Sequence, residues 1–180
     1  MPRPIRRPTK RPGSPRIGAV MLLFYPWGEH LTFVLTRRVA TLRAHSGQIS
    51  FPGGRQDPPE SLATTALRET EEEIGIPQQQ IKLLGPLTQL YIPPSDFEVH
   101  PFVGWLDQRP IFRPNPNEVD AVLETPLEAL FNPQIQFVEQ RDINGLMMTV
   151  PYFHLHNSKV WGATAMILGE MIGRLQALSA

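Results

Sequence analysis

Residues 54–76, GRQDPPESLATTALRETEEEIGI, constrain this chain more than any other stretch. Asp57, Pro58 and Glu60 together make a helix start: an Asx N-cap, a proline at the first helical position and a capping-box carboxylate. The helix is therefore expected to begin near Pro58. Leu62, Ala63, Ala66, Leu67, Thr70 and Ile74 recur at three- and four-residue spacing, which predicts one face packed on a sheet. Gly75 supplies the stop as a left-handed C-cap, with Ile76 behind it. On the other side Glu69, Glu72 and Glu73 stand at i, i+3 and i+4, about 5 to 6 Å apart at Cβ, with Arg68 beside them. Like charges so spaced repel, more strongly where solvent is excluded. Three carboxylates without histidine or cysteine describe a site for a hard, oxygen-seeking cation, Mg²⁺ or Mn²⁺, that also holds substrate phosphate. A solvated acidic face is the alternative. The double glycine ahead of the helix, Gly53 and Gly54, weighs against it, because glycine lets the backbone approach a ligand closely.

The whole span resembles the Nudix box, G-x5-E-x7-R-E-U-x-E-E-x-G-U with U apolar. Gly54, Glu60, Arg68, Glu69, Glu72, Glu73, Gly75 and Ile76 fall at its fixed positions. Thr70 departs from the usual aliphatic residue, at an expected cost in packing only. The resemblance implies Glu69 and Glu73 as principal metal ligands, Glu72 as a further one and the Gly54 carbonyl as another. The candidates for the catalytic base are Glu69 held by Arg68, Glu72 through water, and Glu118 from a later loop. For Glu118 the alternative is an N-cap or surface acid. Glu60 is expected to anchor the loop to the helix start and to pair with Arg68.

With 180 residues, 41% of them hydrophobic, the chain can build one domain with a real core. Zero cysteines exclude disulfides, thiolate catalysis and cysteine metal sites, and fit a reducing compartment; the cytoplasm is the expected location. Net charge is zero, but residues 1–16 hold six of the 17 basic residues and no acid. They form a proline-interrupted lead segment, without aromatics, read as flexible or surface-hugging rather than as a nucleic-acid arm. Residues 17–180 form the domain. The longest apolar run, from Ala19 to Tyr25, is too short to span a bilayer.

Ile17 to Tyr25 reads as a central strand buried on both faces, and Leu31 to Thr36 as its hairpin partner. Val34 to Gly54 carries many basic and small residues and is expected to be a loop. Arg37, Arg38 and Arg43 stand there, with His45 among them, where an anionic substrate needs counter-charge; pairing with surface acids is the alternative. This segment is similar to LLTxR-[SA]-x3-R-x3-G-x3-FPGG, the extra motif of the coenzyme A pyrophosphatase subfamily. Leu35, Thr36, Arg38, Arg43, Gly47, Phe51, Pro52, Gly53 and Gly54 match, while Val34 and Val39 depart mildly. The subfamily's PxxSxFxVxPFVG stretch is resembled by Pro93, Ser95, Phe97, Val99, Pro101, Phe102, Val103 and Gly104, which implies Phe97 in the substrate wall. Without that resemblance Phe97 and Phe102 read as core aromatics.

Ile81 to Tyr91 is expected to be a strand broken at Gly85-Pro86, and Val99 to Leu106 another, with Pro101 suiting an edge or a bulge. A proline-rich loop, Arg109 to Asn117, leads to Glu118. A short helix at Pro126 to Phe131, strands at Phe137–Val138 and Leu146–Leu155, and an amphipathic helix from Trp161 to Leu178 complete the pattern. The resulting fold class is α+β, a Nudix-type α/β/α sandwich with a mixed sheet and a helix on each face. The resemblance implies coenzyme A as small-molecule substrate, cut to 4′-phosphopantetheine and adenosine 3′,5′-bisphosphate. Arg38 and Arg43 are its phosphate candidates, and Gly53, Gly54 and Phe97 its other contacts. Alternatives are another nucleotide (ADP-ribose, a dinucleotide, a nucleoside triphosphate) or a catalytically silent binding module. Neither nucleic acid nor membrane is expected as a partner, and a homodimer is an option the sequence leaves open.

Overall fold

The structure, a computed structural model, describes residues 15–40, 47–143 and 145–178. Arg43, His45 and most of the basic lead segment lie outside the described residues. β1 (Arg16–Trp27), β2 (His30–Arg38), β3 (Ile49–Ser50) and β4 (Gly53–Arg55) lead into α1 (Leu62–Ile74). β5 (Lys82–Pro86), β6 (Leu90–Ile92), β7 (Phe97–Trp105) and β8 (Val119–Pro126) complete the main sheet. β9 (Gln136–Ile143), β10 (Leu146–Leu155) and β11 (Ser158–Val160) form a second, three-stranded sheet, and α2 (Gly162–Leu178) closes the described chain.

β1 is the axis of the assembly. One side pairs along nearly its whole length in parallel with β7, from Arg16↔Phe97 to Phe24↔Trp105. The other side is shared, with β4 on its first half at Gly18–Val20 and β2 on its second at Phe24–Trp27, both antiparallel. The mixed sheet follows from that one parallel pair. Because successive strand side chains point to opposite faces, the apolar run feeds two cores at once. Met21, Leu23 and Tyr25 pack with Ala66 and Ile74 of α1, while Leu22 and Phe24 pack with Leu168 and Ile172 of α2. Expectation and structure agree here: α+β, with a helix against each face.

Several local expectations change. The segment 34–54 is not one loop; Val34 to Arg38 continue β2, and Ile49–Ser50 pair with it as β3. Pro101 lies in an interior strand, not at an edge. Its carbonyl accepts from Leu87 N at 2.9 Å, so its nitrogen faces the same way, toward the gap between β5 and β6 where no ladder acceptor waits. That gap, residues 87–89, falls just after Gly85-Pro86. Among the described residues no helix is long and apolar enough to cross a membrane.

α1 begins at Leu62, a turn later than Asp57 and Pro58 suggest. Ser61 is the N-cap, its Oγ accepting from Thr64 N at 3.1 Å. Glu60, as expected, is the anchor of the loop: its Oε1 accepts from Asp57 N and from Thr65 Oγ1 at 3.1 and 2.8 Å. Gly75 ends the helix in the left-handed conformation at φ 74°. Removing the cap, Ser61→Ala, is expected to cost about 1 kcal/mol and lower the thermal midpoint by about 2 to 4 °C, whereas Asp57→Ala leaves it nearly unchanged. Calorimetry of the two variants decides which residue starts the helix.

Candidate active site

The buried side of α1 is not purely apolar. Thr65, Ala66, Thr70, Glu73 and Ile74 are the buried residues, while Leu62 and Leu67 reach the core only in part. Thr70 is buried without loss because its hydroxyl donates back to the Ala66 carbonyl at 2.7 Å. Glu73 is 2% exposed. It does not share an open acidic face with Glu72, as the spacing suggests, but turns inward toward the double glycine.

Two backbone features make room for Glu73. Gly53 N donates to Glu73 Oε2 at 3.4 Å, and Gly53 has φ 155° with its Cα against Ala19 and Val20: a Cβ there would sit 2.3 Å from the Ala19 carbonyl oxygen. Arg38 Nη1 lies 3.5 Å from Glu73 Oε1. A register shift between β2 and β8 at Arg37/Arg38 separates the two arginines, and Arg37 instead faces Asp120 at 3.7 Å. Such a bulge re-aims a side chain, and no local sequence signal announces it. Buried Arg38 Nε finds no acceptor among the described residues. Burial pushes the Glu73 carboxyl up to about 8; Arg38 and the Gly53 amide oppose the shift, and Glu69 and Glu118 add to it.

Glu69 belongs to the same cluster. Its carboxylate lies so close over Gly54 that a Cβ on that residue would fall 2.4 to 2.5 Å from the carboxylate atoms. Burial raises its pKa, Arg68 counters, and Glu72 and Glu118 add to the rise. Arg68 is the cross-bar: Nη1 reaches Glu69 Oε1 at 2.9 Å and Glu72 Oε2 at 3.0 Å, Nε and Nη2 grip Glu60 at 3.1 and 2.8 Å, and Nη2 also donates to the Arg55 carbonyl. The Glu60 bond is the largest cause of the upward shift of Arg68, and Arg68 in turn holds Glu60 down to about 2. Glu72 is exposed.

Glu118 enters from the far side of the chain. Arg113 N and Asn115 N donate to the Ile74 and Glu73 carbonyls, each at 2.9 Å, satisfying groups the helix end leaves open. Gly75 is needed twice there, for its left-handed φ and because a Cβ would meet Arg113 Cβ at 2.6 Å. The loop so pinned carries Glu118 close enough to repel both Glu69 and Glu73. Asn115 Nδ2 donates to Glu118 Oε1 at 3.3 Å. Asn115 and Gly18 are contributors the sequence reading missed. A Cβ at Gly18 would lie 2.3 Å from the Gly54 carbonyl oxygen and 2.6 Å from Phe97 Cζ, so Phe97 borders the Gly54 carbonyl across Gly18. Phe97 is half-buried, and the Arg16 guanidinium stands 5.8 Å from its ring centre.

Glu69, Glu73, Glu118, Arg38, Arg68, Gly53, Gly54 and Phe97 are thus brought together, with Glu72 at the outer margin. The three helix acids do not converge on a common point. Arg68 draws Glu69 and Glu72 outward while Glu73 faces Arg38, and among the described residues no three acid or histidine side chains are grouped closely enough to hold an ion as they stand. The chemistry of the donors nevertheless fits a hard divalent cation. All are oxygens; Glu69 raises the pKa of Glu73 and Glu118 raises both, a repulsion that a cation relieves.

A mixed sheet between two helices, with an arginine-laced carboxylate cluster against a double glycine, defines a phosphate-handling α+β domain. The NUDIX domain family profile matches residues 15–143, and the chain belongs to the Nudix family. It is similar to the "Uncharacterized Nudix hydrolase NudL" of Photorhabdus laumondii, 37% identical over 171 residues covering 94% of this chain and 90% of that one. It is likewise similar to the protein of that name in Yersinia pestis, 40% identical over 144 residues covering 78% and 70%. Among solved structures, a MutT/nudix family protein from Enterococcus faecalis shares the fold at TM-score 0.63 and 16% identity, covering 95% of this chain and 66% of that one. The NUDIX domain of Shewanella oneidensis NrtR, complexed with ADP ribose, does so at 0.60 and 16%, covering 91% and 90%. The protein is therefore a Nudix hydrolase, an enzyme acting on pyrophosphate bonds of nucleoside diphosphate derivatives, in a family that uses divalent metal ions.

The raised pKa of Glu73 has a measurable sign. A carboxyl that titrates at about 8 when folded, against 4.5 normally, gives stability that is complete below pH 4.5 and lost as pH rises through 8. In the presence of chelator, Glu73→Gln should therefore raise the thermal midpoint at pH 8 by several degrees, at about 3 °C per kcal/mol, and little at pH 4.5. A variant no more stable than the parent at pH 8 contradicts the burial penalty.

Proposed function

We propose that this chain hydrolyses the diphosphate bridge of coenzyme A, giving 4′-phosphopantetheine and adenosine 3′,5′-bisphosphate. One observation carries the reading. Three residues that match the coenzyme A pyrophosphatase motif ahead of the helix, Arg38, Gly53 and Gly54, lie against the Nudix-box acids: Arg38 pairs with Glu73, Gly53 N donates to it, and Gly54 carries Glu69. Phe97, from the second matching stretch, borders the same carbonyl.

In this reading Glu69 and Glu73 are the principal ligands of Mg²⁺ or Mn²⁺, with Glu72 and the Gly54 carbonyl as further donors. Bound there, the ion supplies Lewis-acid stabilisation of phosphate charge and a more acidic water. Arg68 holds Glu69 and Glu72 together through its Nη1. Glu69, Glu72 and Glu118 are the candidates for the base; among them only Glu118 makes no ion pair among the described residues. Arg38 and Arg43 are assigned to substrate phosphates, and Phe97 to the wall. The intact acid set speaks against a silent binding module. A cytoplasmic location, supported by the zero cysteine count, completes the reading.

Purified protein with Mg²⁺ is assayed on coenzyme A, dephospho-coenzyme A, ADP-ribose and NADH, with products separated by chromatography. The highest kcat/KM is expected on coenzyme A; turnover of ADP-ribose with none on coenzyme A would overturn the choice of substrate. Glu73→Gln is expected to lose at least about 100-fold in metal-dependent turnover while keeping its circular dichroism spectrum. Full activity in that variant removes Glu73 from the metal.

A further inference from the structure

The β9–β10 hairpin is poorly supported by its own chain. Only its base, at Phe153 and Leu155, is buried; beyond it one face of the ribbon, with Val138, Gln140, Asp142, Met147 and Thr149, is exposed, and the other, with Glu139, Arg141, Met148 and Val150, is half-buried. Val138, Leu146 and Met147 are 69%, 63% and 61% exposed. Among the described residues β9 pairs with β10 alone, so along its outer edge every second residue offers its backbone donor and acceptor to another strand. A two-stranded ribbon is marginal in water unless something covers it.

The sequence of that edge names its partner. β9 reads Gln136-Phe137-Val138-Glu139-Gln140-Arg141-Asp142-Ile143. Laid antiparallel on a second copy of itself about Gln140, it sets Glu139 opposite the copy's Arg141 and Arg141 opposite the copy's Glu139. Opposite charges directly across an antiparallel pair are favourable and like charges are not, and no other register of β9 on itself brings both charge pairs together. The self-complementary pattern is what a two-fold interface requires. Glu139 already binds Arg141 at 2.5 Å and also Lys159, so the charges are held on the face where the copy would meet them. Arg141 is braced from behind by Trp161, 4.3 Å from its ring centre.

We propose that the protein is a homodimer joined edge to edge through β9, with the two strands antiparallel about Gln140. The main-chain ladder runs on from one three-stranded sheet into the other, making six strands. The exposed ribbon becomes the middle of that sheet. The dimer keeps each acid cluster within one chain.

Sedimentation equilibrium on the full chain tests this. The parent protein should dimerise, and E139R or R141E alone, which sets like charges together at both crossings, should weaken dimerisation at least about tenfold. An equimolar mixture of E139R and R141E restores opposite charges at both crossings and should dimerise as the parent does. Q140K, at an exposed position, places two cations on the axis at the cost of the Gln140 Nε2–Thr149 Oγ1 hydrogen bond and should also give monomer; circular dichroism confirms that each variant is folded. A parent that stays monomeric up to about 100 µM, or a dimer that survives Q140K and both reversals, overturns the proposal.

Discussion

A carboxylate held almost out of solvent organises this molecule. Glu73 lies on the flank of α1 that packs on the sheet, and an ionised group there is costly unless it is matched. The matching comes from two separate parts of the chain: a strand bulge that aims Arg38 and a glycine whose amide can reach the carboxylate; a loop tied to the end of the helix brings in Glu118 against it. Neither contact to Glu73 is short, at 3.5 and 3.4 Å, and two neighbouring acids push against it. The local arrangement therefore favours a cation, which is the physical content of a metal-using site.

Arg68 performs the complementary task. Glu60 ahead of the helix and Glu69 and Glu72 in its second half would repel one another, yet all three bond to one guanidinium. Its planar fork, with several donors in fixed directions, suits that role in a way a lysine would not. The capping loop, the helix and β4 are joined through a single side chain. Glycine is the counterpart on the other wall. At Gly53 and Gly54 the strand carries no side chains, so the backbone itself lines the site and Glu69 can lie directly over it.

Much of this was legible in residue spacing. The apolar run of β1 announced a strand buried on both faces, because only such a strand can be apolar at every position. The left-handed glycine at 75 and the Glu60–Arg68 pair were readable from type and interval. The helix start is not decided by the sequence, since Asp57-Pro58 and Ser61 both carry capping signals and the choice depends on where the chain leaves β4. The loop before the helix is shorter than its composition suggests for a similar reason: basic residues can occupy strand ends, and Arg37 and Arg38 close β2. Gly18 and Asn115 left no signal, since each matters only through contacts with segments far along the chain.

The sequence by itself determined which chemistry was available: oxygen donors at helical spacing, an arginine among them, glycines ahead of them, and the family to which that set belongs. Spacing along a helix fixes which residues are neighbours, and that much needs no tertiary structure. Which of the acids is buried, which arginine faces it, and whether Glu118 stands near enough to be felt were decided only by the fold. Those outcomes turn on a bulge in β2, the tilt of α1 against β1 and a loop bonded to the Glu73 carbonyl. Each depends on the distance between parts of the chain that sequence separation does not encode.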